Sequence, residues 1–339
     1  MTSLVVVSCG PGTSIQDRGR FGYQRFGLGP AGAMDRVSMA RANLLVGNAP
    51  DTAAVEMAVL GARFKVEGGR LRLALVGAGG QMKVDGDALA PMTSVTVEPG
   101  QDIEVGSVRA GFFMYLAVSG GFDIKPQLGS RALHSRGRVG GIGGRACQPG
   151  DRLPVAAADI KGPELAAPEP RSSSRDEPIR VMLGPQADFF TERGIATFLS
   201  EQYTITTQTD RMGIRLAGPP IEHNEKGFNI VSDGIATGSI QVPGTGEPLV
   251  QLADRGTTGG YPKIATVISA DHSRIAQLTS GTKIRFTAVT RAIAVEAARK
   301  QVAELASYKA SLRPVGSLDL SSERLLALEL NEGWGERNC

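Results

Sequence analysis

Short apolar runs, each broken within a few residues by glycine, proline or aspartate, recur along this chain and leave it few folds. In the first half they lie at 4–7, 53–57, 62–66, 70–76, 81–84, 94–97, 102–105 and 112–118. In the second half they lie at 179–183, 203–207, 238–242, 248–252, 264–268 and 283–287. Runs this short, so punctuated, read as strands of a barrel or sandwich. The 44 glycines in 339 residues exceed the ordinary share of about 7%. They imply many turns and places where backbone approaches backbone.

Helical signals are few. Asp35 reads as the N-cap of a helix over about 36–46, closed by Gly47-Asn48. A second helix starts at about 187. The segment 292–308 is rich in Ala, Glu, Lys, Arg and Gln and reads as a helical tail. Asp319 or Ser321 is expected to cap a further short helix through Leu330. Residues 162–178, GPELAAPEPRSSSRDEP, have the composition of a linker or long excursion. The expected organisation is therefore a β domain over 1–161, a linker over 162–178, a second β domain over 179–290 and a tail over 291–339. Gln16-Asp17-Arg18-Gly19 and Thr209-Asp210-Arg211-Met212-Gly213 echo one another, which suggests related halves.

Composition excludes several classes. A formal charge of +3 gives no reason to expect a nucleic-acid or anionic-membrane partner. Three scattered cysteines, Cys9, Cys147 and Cys339, form neither a disulfide framework nor a thiolate metal site, and fit a reducing cytoplasm. The N-terminal MTSLVVVSCG lacks the basic and long apolar parts of a signal peptide and reads as a strand. The sequence contains no P-loop, no Rossmann fingerprint, no G-x-S-x-G and no HExxH. No metal site is expected. His134 stands alone between Leu133 and Ser135 and reads as an ordinary surface or outer-shell residue.

Two polar, glycine-rich stretches are the candidate site. The first, residues 10–35, gathers Gln16, Asp17, Arg18, Arg20, Tyr23 and Arg25. It would line a cleft, or be an ordered loop pinned by Asp–Arg bonds. The second follows the strand runs at 238–242 and 248–252 and carries Asp254, Arg255, Thr257, Thr258, Gly259 and Gly260. Such a loop suits close backbone approach to a polar ligand; the plainer alternative is a tight turn with an internal Asp–Arg pair. Asp17, Asp210 and Asp254 are each followed by an arginine. An adjacent arginine keeps its aspartate ionised. The aspartates would then orient, and the arginines would bind anions or a developing negative charge.

These stretches resemble a known family. The resemblance rests on Ser14-Ile15-Gln16-Asp17-Arg18-Gly19-Arg20, on Gly32-Ala33-Met34-Asp35 with 42–48, and on 116–123 with Leu128-Gly129-Ser130. It rests also on Asp210-Arg211-Met212-Gly213 and on Gln241-Val242-Pro243 through Asp254-Arg255 to Thr257-Thr258-Gly259-Gly260-Tyr261-Pro262. The family is that of the second subunit of the allophanate-hydrolase-like proteins, also called biotin-dependent carboxyltransferase proteins, which includes the C subunit of 5-oxoprolinase. The resemblance implies a mainly β fold of two cyclophilin-like β-barrel domains with short helices and a helical C-terminal tail. It implies a first-subunit partner and, in the 5-oxoprolinase setting, a third. The implied reaction is ATP-dependent conversion of 5-oxo-L-proline to L-glutamate, with ATP not held by a P-loop in this chain. The alternative is carboxyl transfer from carboxybiotin to urea or a similar small amide; a regulatory, partner-binding role is a third. The Gly-Ser-Ser-rich signature of a true amidase is absent.

The residues expected to act in chemistry are Asp17, Arg18, Asp254 and Arg255. Those expected to bind substrate are Gln16, Arg20, Asp35, Asn43, Asp210, Arg211, Gln241, Thr257, Thr258, Gly259, Gly260 and Tyr261. One departure from the family pattern stands out. Gly256 occupies the place where relatives more often carry Gln, which bears on the ligand.

Overall fold

The computed structural model describes residues 2–157, 160–168 and 177–316. The first half runs β1 (Ser3–Cys9), β2 (Ser14–Gln16), α1 (Arg36–Leu45), β3 (Ala54–Ala58), β4 (Ala62–Glu67) and β5 (Leu71–Val76). It continues with β6 (Met82–Val84), β7 (Asp87–Ala88), β8 (Ser94–Val97), β9 (Asp102–Val105), β10 (Phe113–Val118) and β11 (Arg152–Pro154). These strands form a six-stranded sheet, β11-β1-β4-β9-β6-β7, and a five-stranded sheet, β2-β3-β10-β5-β8.

Burial along the strands explains the layering. In β4 buried and exposed residues alternate, so that sheet has one covered face. In β5 and β10 every residue is buried, so the five-stranded sheet is covered on both faces. Met114, Leu116 and Val118 of β10 share a core with Phe64, Val66 and Ile103 of the other sheet. Phe113, Tyr115 and Ala117 face the opposite way, onto Met39, Ala42 and Leu45 of α1 and the apolar cluster of the second half. As the sequence suggests, Asp35 caps α1, its Oδ1 accepting from Val37 N (3.1 Å) and Ser38 N (3.0 Å). Gly47, at φ 82°, turns the chain away after the helix.

The second half runs β12 (Leu165–Ala166), β13 (Ile179–Leu183), α2 (Glu192–Ser200), β14 (Tyr203–Thr209), β15 (Gly213–Ala217), β16 (Asp233–Gly234) and β17 (Ser239–Gln241). It ends with β18 (Leu249–Gln251), β19 (Thr258–Gly259), β20 (Lys263–Val267), α3 (His272–Ala276), β21 (Lys283–Ile284), β22 (Phe286–Ala288), α4 (Arg291–Ser311) and β23 (Arg313–Pro314). Eight strands form one sheet in the order β21-β14-β15-β18-β17-β20-β13-β22. Its two end strands, β21 and β22, are separated in sequence by Arg285 alone. The sheet must therefore curl until its edges nearly meet, a near-closed barrel. Phe198 of α2 enters the core and stacks on Phe286, ring centroids 4.7 Å apart, beside Tyr203.

The expectation of two cyclophilin-like barrels is corrected here. Among the described residues there is one near-closed barrel; the first half is a pair of facing sheets. The strands of the first half divide between two sheets whose edge strands, β2 and β8 in one and β11 and β7 in the other, do not pair with one another. Of the tail expected over 291–339, the part 291–311 is helical, as α4. It lies along α1, with the Arg41 guanidinium 5.5 Å from the Tyr308 ring centroid. Within the segment expected as a linker, β12 pairs with β23 behind α4, and the carbonyls of Gly162 and Pro163 each accept from Arg72 at 2.8 Å. The remainder of it, 169–176, and the short helix expected through Leu330 lie outside the described residues.

Candidate functional site

A buried polar cluster joins the halves. Its centre is Arg211, at the turn between β14 and β15. Its Nε and Nη2 donate to the two Asp254 carboxylate oxygens, at 2.8 and 2.9 Å, and Nη2 also donates to Gly32 O at 2.8 Å. Its Nη1 forms an ion pair with Glu56 of β3. The other Glu56 oxygen accepts from Tyr115 OH (2.7 Å) and Met34 N (2.9 Å). Tyr115 OH accepts in turn from Asp35 N at 2.7 Å. Gln277 adds a second tie: its Nε2 donates to Asp35 Oδ2 (2.7 Å) and its Oε1 accepts from Phe112 N and Phe113 N. Burial opposes the charge on Arg211, but the carboxylates of Glu56 and Asp254 outweigh it and raise its pKa. Burial, with the charges of Glu56 and Asp35, pushes the Tyr115 phenol well up.

A cleft opens beside this cluster, between residues 20–30 of the first half and the 234–237 and 254–258 loops of the second. One recess, of about 370 Å³, is lined by Leu28, Gly29, His134, Asp254, Arg255, Gly256, Thr257 and Thr258. A second, of about 440 Å³, holds Arg20, Phe21, Gln24, Leu28, Ile235 and Arg255. Leu28 and Arg255 belong to both. Gln24 latches the walls together: its Nε2 donates to Ile235 O (2.9 Å) and Thr257 O (3.0 Å), and its Oε1 accepts from Arg255 Nη2 (3.3 Å).

His134 is buried here rather than on the surface. Its Nδ1 accepts from Gly137 N at 3.0 Å, so the neutral ring carries its proton on Nε2, a donor. Burial lowers its pKa, as do the charges of Arg20 and Arg211, while Asp254 opposes them.

The three sequence-adjacent Asp–Arg pairs do not form. Asp254 pairs with Arg211, not Arg255. Asp17 accepts from Gly19 N (2.8 Å), Ser130 OH (2.6 Å) and Arg131 N (2.6 Å), pinning its own loop and facing a separate recess with Asp51 and Asp123. Arg18 is exposed and reaches Asp51 only at 3.7 Å. Asp210 accepts from Met212 N (2.7 Å) and Gly213 N (3.2 Å), closing a turn. Each aspartate sits at a turn, where nearby amides or a distant arginine take up its oxygens, which is why neighbours in sequence are not partners.

Of the other expected residues, Arg20, Arg255, Thr257 and Thr258 line the cleft. Gln241, under its floor, accepts from Gln251 Nε2 (2.9 Å). Gly259 lies against Gln241: a Cβ there would stand 2.5 Å from its Nε2 and 2.8 Å from Ile235. Gly260 has ordinary clearance, and Tyr261 is exposed. Gln16 is buried within β2, bonded to Ser14 and Leu133 O, away from the cleft. Asn43 ties α1 to Thr52 O (2.7 Å) and Asn48. Asp35 holds the helix start and borders a different groove, with Arg41 and Arg274. Glu56, Tyr115, Gln24 and Gln277 were not singled out from the sequence. Glu56 left a signal: it is the one acid in the apolar run 53–57, and an acid in such a run demands a partner. No group of three His, Cys, Asp or Glu suited to a metal occurs among the described residues, nor does a helix long and apolar enough to cross a membrane.

Two β halves joined by a buried ion cluster, with a polar cleft between them, are the frame of a carboxyltransferase domain. Residues 26–288 match the family described as carboxyltransferase domain, subdomain A and B, and the chain belongs to it. It is similar to the C subunit of the Haemophilus influenzae 5-oxoprolinase, 35% identical over 288 residues that cover 85% of this chain and 91% of that protein. The corresponding protein of Escherichia coli is 32% identical, over 88% of this chain and 95% of its own length. The crystal structure of the Kluyveromyces lactis urea amidolyase superposes with a TM-score of 0.83 at 28% identity, over 95% of this chain. This chain spans only 20% of that much longer protein.

Proposed function

We propose that this chain is the carboxyl-transfer subunit of a multi-subunit enzyme whose acceptor is a small amide. The observation that supports it most is the donor set of the recess around Asp254. The Asp254 carboxylate, held by two bonds from Arg211, suits amide N–H groups. His134 Nε2–H and the hydroxyls of Thr257 and Thr258 suit the amide carbonyl. Arg255 is placed to stabilise negative charge as it develops. Biotin, when bound, would supply the activated carboxyl group, and the same donors suit its ureido head. With no P-loop in this chain, ATP use is assigned to partner subunits, the first of them a first-subunit relative. A cytoplasmic location goes with this assignment.

A second reading is favoured by length. The relatives matched over nearly their whole extent are named as the C subunit of 5-oxoprolinase. In that reading the complex opens 5-oxoproline to glutamate with ATP, and His134 and Arg255 stabilise the oxyanion.

The test uses this chain with the products of its neighbouring genes. Biotin-dependent transfer of labelled carboxyl to urea or another small amide, abolished by avidin, is the expected result. Glutamate release from 5-oxoproline that ignores avidin would move the assignment to the second reading. An intact complex that does neither would sink both.

A further inference from the structure

α4 is apolar on two sides, and one of them is uncovered among the described residues. On the inner side Leu305 and Tyr308 pack against the apolar cluster shared by the halves, and Gln301 Nε2 donates to Ala270 O at 3.1 Å. On the outer side Val295 and Val302 stand seven residues apart, hence on one face, two turns from each other. Val302 is 71% exposed and Val295 40%. Ala292, Ala306 and Ala310 beside them are exposed as well. A helix at a protein surface ordinarily keeps its apolar residues on the packed side and its polar ones outside. A second apolar stripe calls for a cover.

The chain itself carries a segment that suits the stripe. Past the end of α4, Arg313 Nη1 still bonds Ala310 O of the last turn at 2.8 Å. Gly316, the last described residue, has φ 77° and open space about it, the left-handed conformation that lets a chain reverse. The 23 residues 317–339 follow. They hold five leucines between 320 and 330, and Leu326, Leu330 and Trp334 recur every fourth residue, a helical spacing. At the rise of a helix, 23 residues would extend about 34 Å, and α4 with its 21 is about 31 Å long. The charges are opposite. Residues 317–339 carry five acids and two arginines. α4 carries Arg291, Arg299, Lys300 and Lys309 against Glu296 and Glu304, with Arg299 and Lys309 beside the valines. A second copy of α4 laid on the stripe would set these basic residues against their own kind.

We propose that residues 317–339 fold back and dock on the outer stripe of α4. Their leucines and Trp334 cover Val295 and Val302, and their acids face Arg299 and Lys309. The docking uses no residue of the cleft and stands apart from carboxyl transfer.

Trp334 is the only tryptophan of the chain, so its fluorescence reports on this segment alone. In the full chain, at concentrations where sedimentation shows a monomer, its emission is expected to be blue-shifted from that of the urea-unfolded chain and resistant to quenching by acrylamide. Val302→Glu and Val295→Glu each place a charge on the stripe that also repels the acidic segment. Both should move emission and quenching toward the unfolded values. Because both valines are exposed, the circular dichroism and the main melt should stay as in the wild type. Arg299→Glu should act in the same direction, and added salt should weaken its effect. Unfolded-like emission in the folded wild type overturns the proposal. So does a blue shift that neither valine variant moves, which would seat the segment elsewhere. A blue shift found only where the chain dimerises would give the stripe to a second copy. One found only in the complex with the neighbouring gene products would give it to a partner. Either result would refute docking within the chain.

Discussion

Arg211 stands between two carboxylates, and Arg255 stands beside none. The contrast sets different expectations for their replacement. Arg211→Met would leave Glu56 and Asp254 buried without a counter-charge, and is expected to cost about 3–5 kcal/mol in a urea melt. Arg18→Ala, at an exposed site with one distant acid, should change stability by no more than about 0.5 kcal/mol in the same melt. His272 makes a pH prediction. Burial chiefly, with Arg36 and Arg255 adding to it, holds its pKa down to about 4, while its Nε2 bonds Val267 O. In the unfolded chain the imidazole titrates near about 6.5. The unfolded state therefore binds the extra proton between those values. Stability from this group is intact above pH ~6.5 and falls as pH drops toward 4, by up to about 3 kcal/mol. Thermal melts of wild type and His272→Gln across that range should converge at the acid end; parallel curves would refute this account.

At the scale of elements, the loop from Ala253 to Gly260 is held from three sides: by Arg211 through Asp254, by Gln24 through Thr257, and by β16 through β19. Gly259→Ala places a methyl group against Gln241 and Ile235 and is expected to cost about 1–3 kcal/mol by overpacking. Gly256 differs. The nearest atom to a Cβ there is Thr258 O at 3.3 Å, and its φ lies outside the left-handed region. Gly256→Gln should fold with little loss of Tm and narrow the recess. Its signature is a changed KM for the amide with kcat less affected; unchanged kinetics would show that position 256 does not face the substrate. The strands were legible because alternation and punctuation are local: 62–66, 94–97 and 102–105 reappear in β4, β8 and β9 within a residue or so. The pairing of side chains was not. Asp254–Arg211 and Glu56–Arg211 join residues far apart in sequence, and no spacing rule reports such contacts.

Among the described residues one apolar cluster spans both halves, with Tyr115 and Leu45 of the first and Ile214 and Val250 of the second. The Glu56–Arg211 pair and the Gln277 bridge cross the same boundary. Unfolding is therefore expected to be one cooperative transition, with equal calorimetric and van't Hoff enthalpies. Two resolved transitions would show that the halves are independent, and Gln277→Ala would then fail to shift them together. The sequence by itself determined that the chain is mainly β, that Asp35 starts a helix, that the tail begins as a helix, and that the 10–35 and 253–260 stretches carry the polar residues. Those are properties of local pattern, written within a few residues of where they act. Only the tertiary structure decided that one half closes into a near-barrel and the other does not, because closure depends on which edges meet. It alone decided that Arg211 is neutralised while Arg20 and Arg255 are not, because the charge a side chain meets in a buried cleft is set by the elements packed against it.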